Sequence, residues 1–201
     1  MINFFDSIKY IKKGGWFIPF KMRGRARIHV GRQVNLQMDS RLTIGADKTL
    51  PLLSANISNV YFDNNSDIKI GSGVVIGPGV NLIVKQNAKL SIGANTYFTS
   101  DAHIEALHSL TIGKNCAISW GVTIIDDDHH HLLTEGQNSK NFPVTIGDHV
   151  WIGCNVTILK GTEISNNCMV AAGSVVKGSF PANSLIGGNP ARILKQDINW
   201  K

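Results

Sequence analysis

From Ile146 onward an aliphatic side chain falls at every sixth position: Ile146, Ile152, Ile158, Ile164, Val170 and Val176. At a background aliphatic frequency of about one in four, six in a row arise by chance roughly once in four thousand trials. A second set sits two places earlier, at Val144, Val150 and Val156, and continues through the small residues Thr162, Cys168 and Ser174. Turn formers fill the gaps: Gly147-Asp148, Gly153, Gly161, Asn166-Asn167 and Gly173. Helical spacing would repeat at three and four, and plain strand alternation would not break for a turn every six residues.

The rhythm runs upstream less cleanly, through Ile70, Ile76 and Leu82, then Ile92, Phe98 and Ile104, then Ile112, Ile118 and Ile124. Each triplet predicts one triangular coil of about eighteen residues, three short strands joined by tight corners, with the aliphatic residue pointing inward. No coil can bury its own apolar face alone; stacking at ~4.8 Å makes one continuous core. The expected fold is an all-β parallel β-helix. Ile28-x-Val30-Gly31 and Leu42-x-Ile44-Gly45 extend it as irregular early coils.

Composition narrows the class further. The chain has 201 residues, 43% hydrophobic and 17% charged, with 20 glycines. That suits a single turn-rich domain and excludes a disordered chain. Three cysteines (Cys116, Cys154, Cys168) without CxxC spacing indicate neither a disulfide framework nor a zinc site, and suggest a cytoplasmic home. No secretory or membrane-spanning segment is expected, since Trp16–Phe20 is far shorter than the ~20 residues a span needs.

Charge is concentrated at one end. Residues 1–32 hold Lys9, Lys12, Lys13, Lys21, Arg23, Arg25, Arg27 and Arg32 against Asp6, a net +7 in a chain of net +6. Phe4, Phe5, Ile8 and Ile11, stopped by Gly14-Gly15, have helical spacing and predict a short amphipathic helix. The expected organisation is a basic, amphipathic arm over 1–27, coils over 28–186, and a short cap over 187–201. The arm could pack on the prism or a sister subunit, or meet a membrane surface, an acidic polysaccharide or a lipid-linked sugar. No nucleic-acid motif accompanies it.

Ile146-Gly147-Asp148-His149-Val150-Trp151-Ile152-Gly153, Ala171-Ala172-Gly173-Ser174-Val175-Val176 and Gly187-Gly188-Asn189-Pro190-Ala191-Arg192 resemble the hexapeptide-repeat acyltransferases, and polysaccharide and sugar O-acetyltransferases above all. The resemblance implies a left-handed β-helix, a homotrimer with sites between subunits, and acetyl-CoA as co-substrate. Handedness follows from the resemblance alone, because the usual crossover rule favours the opposite hand.

The rhythm breaks between Ile124 and Ile146, where Asp126-Asp127-Asp128-His129-His130-His131 opens a protruding loop that runs to Pro143. A loop leaving a rigid scaffold is where chemistry concentrates. Adjacent histidines cannot all face one ion, so no metal is expected. An imidazole suits the general base that deprotonates a hydroxyl for attack on a thioester. The family's Asp-x-Asp-x-His pattern selects His130, while gapless alignment with its galactoside-type members selects His129; His130 is the expectation. Asp126 or Asp128 would orient the ring. Asp128 and Trp120 are the candidate acceptor contacts.

For the co-substrate, the resemblance places Trp151, Cys154 and Ala172 along pantetheine, and Lys177, Arg192 and Lys195 at its phosphate end. Three other functions compete: an acetyltransferase for a small amino sugar, serine or drug; a non-catalytic hexapeptide trimer; and a related carbonic anhydrase. For the last, His103, His108 and His129 lack convincing ligand spacing. The His-bearing loop speaks against the inert trimer. The loop pattern, Ser119-Trp120 and the basic arm favour a polysaccharide sugar or its precursor as the acceptor.

Overall fold

A computed structural model describes residues 8–10, 19–46, 56–129 and 142–201. Its strands form three sheets, the faces of a prism. The first has eight strands, from Ile8–Tyr10 to Ser179–Phe180; the second nine, from Phe20–Met22 to Ala191–Lys195; the third seven, from Ala26–Val30 to Val175–Val176. The chain visits the sheets in strict rotation, so every strand pairs with those one coil before and after. All pairings are parallel except the last, where Ala191–Lys195 folds back antiparallel on Leu185–Gly188. That hairpin caps the end of the second sheet, as an open edge requires.

The six-residue series is the core. Ile70, Ile92, Ile112, Ile146, Ile164 and Phe180 stand in register in the first sheet. Ile76, Phe98, Ile118, Ile152, Val170 and Ile186 do so in the second. Leu82, Ile104, Ile124, Ile158 and Val176 complete the third. All are buried. The companion series at the corners is buried too, and its polar members are satisfied locally. Thr162 Oγ1 donates to the Leu159 carbonyl at 2.6 Å and Ser174 Oγ to that of Ala171 at 2.6 Å. Each buried hydroxyl is thereby satisfied by a carbonyl of its own corner.

The corners explain the asparagines. Asn95, Asn115, Asn167 and Asn183 have φ between 55° and 60°, left-handed backbone that asparagine tolerates. Their N–H groups reach back one coil, Asn167 to Asp148 at 2.9 Å and Asn183 to Asn166 at 3.0 Å. At Gly153 crowding decides instead: a Cβ there would stand 2.7 Å from the Ala172 nitrogen.

Outward positions distinguish the faces. The first sheet presents Gln37, Lys69, Ser91, Thr111, Thr145, Glu163 and Ser179, a water-facing column. The second presents Thr43, Val75, Tyr97, Ala117, Trp151, Met169 and Leu185. The third carries two columns in its early strands: Arg27, Asn59, Asn81, His103 and Thr123, and beside them His29, Tyr61, Ile83, Glu105 and Ile125.

Two expectations for the N-terminal region change. Ile8–Tyr10, expected in a helix, is a strand paired with Val34–Leu36. A helix this short is marginal, and the open edge of the first sheet offers a full row of backbone partners. Phe4, Phe5 and Ile11 lie outside the described residues. The coils also start before residue 28, since Phe20–Met22 pairs with Leu42–Ile44 and Ala26 already belongs to the third sheet. Among the described residues no helix is long and apolar enough to cross a membrane.

Candidate active site

The coil that ends at Thr123–Ile125 runs straight into the three aspartates, and each holds something different. Asp126 is fully buried; its Oδ1 accepts from the Leu107 N–H at 2.7 Å, and its Oδ2 from His108 and Ser109 at 2.8 and 2.6 Å. It ties the loop's root to the corner of the preceding coil. Asp127 Oδ1 accepts the His129 backbone N–H at 2.6 Å, while its Oδ2 stands 3.1 Å from His108 Nε2. Burial pushes the Asp127 carboxyl up, but the His129 N–H, the His108 ring and the Lys160 charge outweigh that and hold it below the usual carboxylate value. Asp128 Oδ1 pairs with Lys160 Nζ at 2.6 Å, and that ammonium lies 5.7 Å from the ring centroid of Phe142, just before the returning strand Val144–Ile146. Asp128 is thus tied to the scaffold through Lys160, with its side chain still half exposed.

These anchors set His129 in a left-handed conformation (φ 58°) that projects its half-exposed ring over the third sheet. Its Nε2 stands 3.5 Å from Glu105 Oε2. His103 Nε2 approaches the same oxygen at 3.5 Å, and Lys85 Nζ lies 3.7 Å from Oε1. Glu105, 12% exposed, is thus ringed by three groups able to carry positive charge. Sequence reading missed it. Its signal was positional: Glu105 is the outward residue after the core Ile104, one coil before Ile125 at the loop's root. His130 and His131 lie outside the described residues. Among those described, no group of three or more His, Cys, Asp or Glu is arranged to hold a metal ion.

The co-substrate candidates, and Trp120 as the other expected acceptor contact, fall on different parts of the prism. Trp120, Cys154 and Ala172 occupy successive coils along the edge between the second and third sheets, where the Trp120 carbonyl accepts from Asn155 and that of Cys154 from Gly173. Trp151 faces outward from the second sheet beside that edge, its Nε1 donating to Ser119 Oγ at 3.3 Å. Trp200 of the cap tilts against it at 6.0 Å and stacks on His149 at 4.2 Å. Lys177 turns the other corner, between the third and first sheets, on the side of His129 and Lys160. Arg192 and Lys195 are exposed on the capping strand. One prism therefore carries the histidine on one edge and Trp120, Cys154 and Ala172 on another. Cys116 and Cys168 are buried, and burial pushes both thiols up, away from nucleophilic thiolates.

Comparison with known proteins agrees with this architecture. A family model described as bacterial transferase hexapeptide (six repeats) matches residues 143–178. WbbJ of Escherichia coli K12, provisionally named a lipopolysaccharide biosynthesis O-acetyl transferase, is 35% identical over 68% of this chain and 75% of its own. The galactoside O-acetyltransferase of the same organism is 33% identical over 63% of each chain. Among solved structures, the polysialic acid O-acetyltransferase OatWY superposes with a TM-score of 0.65 at 28% identity, over 90% of this chain and 91% of that one. The chain belongs to the hexapeptide-repeat acyltransferases, and its fold is their left-handed parallel β-helix. Within that family it is an acetyltransferase.

Proposed function

We propose that the protein acetylates a sugar hydroxyl of a surface polysaccharide or its precursor, by direct transfer from acetyl-CoA. What carries the reading is the Glu105–His129 pair at the root of the loop, 3.5 Å apart, in a chain similar to O-acetyltransferases of cell-surface glycans. A proton on His129 Nε2 shared with Glu105 leaves Nδ1 with its lone pair, ready to take the proton of an acceptor hydroxyl. The oxygen then attacks the thioester carbonyl, the C–S bond breaks, and the proton passes to the departing thiolate. Glu105 stabilises the imidazolium between those two transfers. His129 is taken as the base because its Nε2 stands 3.5 Å from Glu105 Oε2 at the mouth of the loop.

Small and aromatic residues along the second–third edge suit a pantetheine arm, with Ala172 leaving its backbone approachable and the exposed Arg192 and Lys195 suited to phosphates. Because that edge and the histidine's edge are separate on one prism, a complete site needs two copies side by side, which supports a homotrimer with sites between subunits. Acetyl-CoA as donor fits a cytoplasmic enzyme. The test is acetyl-CoA-dependent release of free CoA against a panel of sugars and oligosaccharides. His129→Ala should lower kcat by about 10²–10⁴-fold, and His130→Ala should retain most turnover. Full activity in His129→Ala would overturn the assignment, and CoA release only with small amines would overturn the acceptor class.

A further inference from the structure

The strand Ala26–Val30 turns Ala26, Ile28 and Val30 towards the core, so Arg25, Arg27 and His29 point out from the third sheet, all three exposed. Register then defines the rows they begin. Arg27 stands in line with Asn59, Asn81 and His103, and His29 in line with Tyr61, Ile83 and Glu105. Towards the loop the rows reach His103 and Glu105, whose side chains approach to 3.5 Å, and the same Glu105 oxygen stands 3.5 Å from His129 Nε2. The rows are ordered: His29 stacks on Tyr61 with centroids 4.4 Å apart and planes 11° from parallel, and Asn59 Nδ2 donates to Asn81 Oδ1 at 2.7 Å. Side chains already fixed by one another lose little freedom when something binds across them. Among the described residues, Glu105 is the only carboxylate at an outward strand position of this sheet, and it lies at the reactive end.

We infer that this face is an acceptor track for an extended, negatively charged glycan, gripped at its far end by Arg25, Arg27 and the His29–Tyr61 pair and delivered at its near end to His129. The inference rests on the proposed O-acetylation and adds a substrate class to it: an oligomer bearing carboxylates rather than a free sugar. Three coil steps separate Arg27 from His103, about 14 Å at the inter-strand spacing, roughly the length of three pyranose residues. Exposed guanidinium groups match carboxylates in two-point geometry. Asn59, Asn81 and Tyr61 offer hydrogen bonds to the hydroxyls between. Arg23 and Arg32, exposed on either side of Arg25 and Arg27 in the chain, add to the positive charge at the far end of the track and draw a polyanion towards it.

The test uses fluorescently tagged oligomers of an acidic sugar, sialic acid or a hexuronic acid, one to eight residues long, with a neutral galactose ladder as control. Anisotropy reads binding, and transfer from acetyl-CoA reads turnover. Affinity for the acidic ladder should tighten about tenfold or more between one and four residues and then level off, with the neutral ladder flat. The double variant Arg25→Gln/Arg27→Gln should abolish the tightening, acting through KM on long acceptors, with kcat and the single-sugar KM unchanged. Should that variant fold poorly, Arg27→Gln alone should remove part of the tightening. Tightening that survives the substitutions, or an equal gain on neutral oligomers, overturns the track. So does a change of sedimentation coefficient in the variant, which would make this face a subunit contact. If the acidic ladder binds with this length dependence but nothing is acetylated, the transfer reading falls and the track stands; acetylation without length dependence gives the reverse.

Discussion

The coils after residue 144 and those before residue 107 solve the same packing problem with different strands. In the late coils the strands of the third sheet are two residues long, Thr157–Ile158 and Val175–Val176, each with one inward and one outward side chain. In the early coils the corresponding strands run to four or five residues, as in Ala26–Val30, Ser58–Phe62 and His103–Ala106, and each presents two outward side chains. The extra two or three residues per strand leave the core column intact, since Leu82 and Ile104 stay in register with Ile158 and Val176. What they add is a second exterior column. The tight coils carry most of the donor candidates along narrow edges, and the broad coils supply Glu105 and the Arg27-to-His103 row. Strand length, and not core identity, divides the two tasks.

The largest expected effect tests the shared core. Ile158→Ala in the late coils and Ile104→Ala in the early ones both empty fully buried positions. Each should cost about 2–5 kcal/mol, read as a shift in the denaturant midpoint at unchanged m-value. If the early coils tolerate the loss much better, they are not one cooperative column with the late ones.

Next comes the division of labour. Ala172 is exposed on the second–third edge, so Ala172→Leu should fold normally and obstruct only what lies against that edge. The expected result is a rise of about tenfold or more in the KM for acetyl-CoA, as for a clash of a kilocalorie or two, with the acceptor KM unchanged. A rise in the acceptor KM instead would put the acceptor on the tight coils and dissolve the comparison.

How much of this could be read from the chain follows the same division. The strict repeat makes every inward position of the late coils legible, because periodicity reports burial directly. Ile28 and Leu42 were legible only as fragments, since longer strands and the insertion after Ala46 break the period. The loop announced itself by interrupting the rhythm, and its histidines by their chemistry. The three aspartates did not disclose their roles. Three adjacent carboxylates look alike in sequence, yet backbone direction sends Asp126 inward to three N–H groups, Asp127 to His108 and the His129 N–H, and Asp128 to Lys160. Glu105 was invisible because it meets His129 only through coil stacking, and Ile8–Tyr10 was misread because an open sheet edge overrides a weak helical pattern.

Acid titration tests that anchoring. The folded-state carboxyl of Asp127 is held below its ordinary value. A depressed carboxylate contributes stability that is present above the unfolded value, about 4, and is lost as pH falls through the lower folded value. Tm should therefore fall as pH drops below about 4, and by more in the native protein than in Asp127→Asn, which should also lose activity at neutral pH. Equal acid sensitivity of Tm in both proteins, with neutral activity kept in the variant, would show that Asp127 positions nothing of its own.

The smallest effect asks whether the two kinds of coil share their corners. Asn167 in the late coils (φ 59°) and Asn87 in the early ones (φ 62°) both hold the left-handed turn. Alanine at either position must accept a conformation that costs about 1–2 kcal/mol. Asn167 Oδ1 also accepts from His149 Nδ1 at 3.1 Å, in a ring that stacks on Trp200. If corner strain alone sets the price, Asn167→Ala and Asn87→Ala should lower Tm equally, and glycine should restore both, because it enters this region without penalty. If glycine restores Asn87 but leaves Asn167 short, the remainder measures the His149 bond and the tail it supports. The late corners would then do more than turn the chain: they would hold the cap against the edge where Trp151 stands. A deficit at both positions would make the asparagine side chains themselves, rather than their tolerance of the turn, the common element of early and late coils.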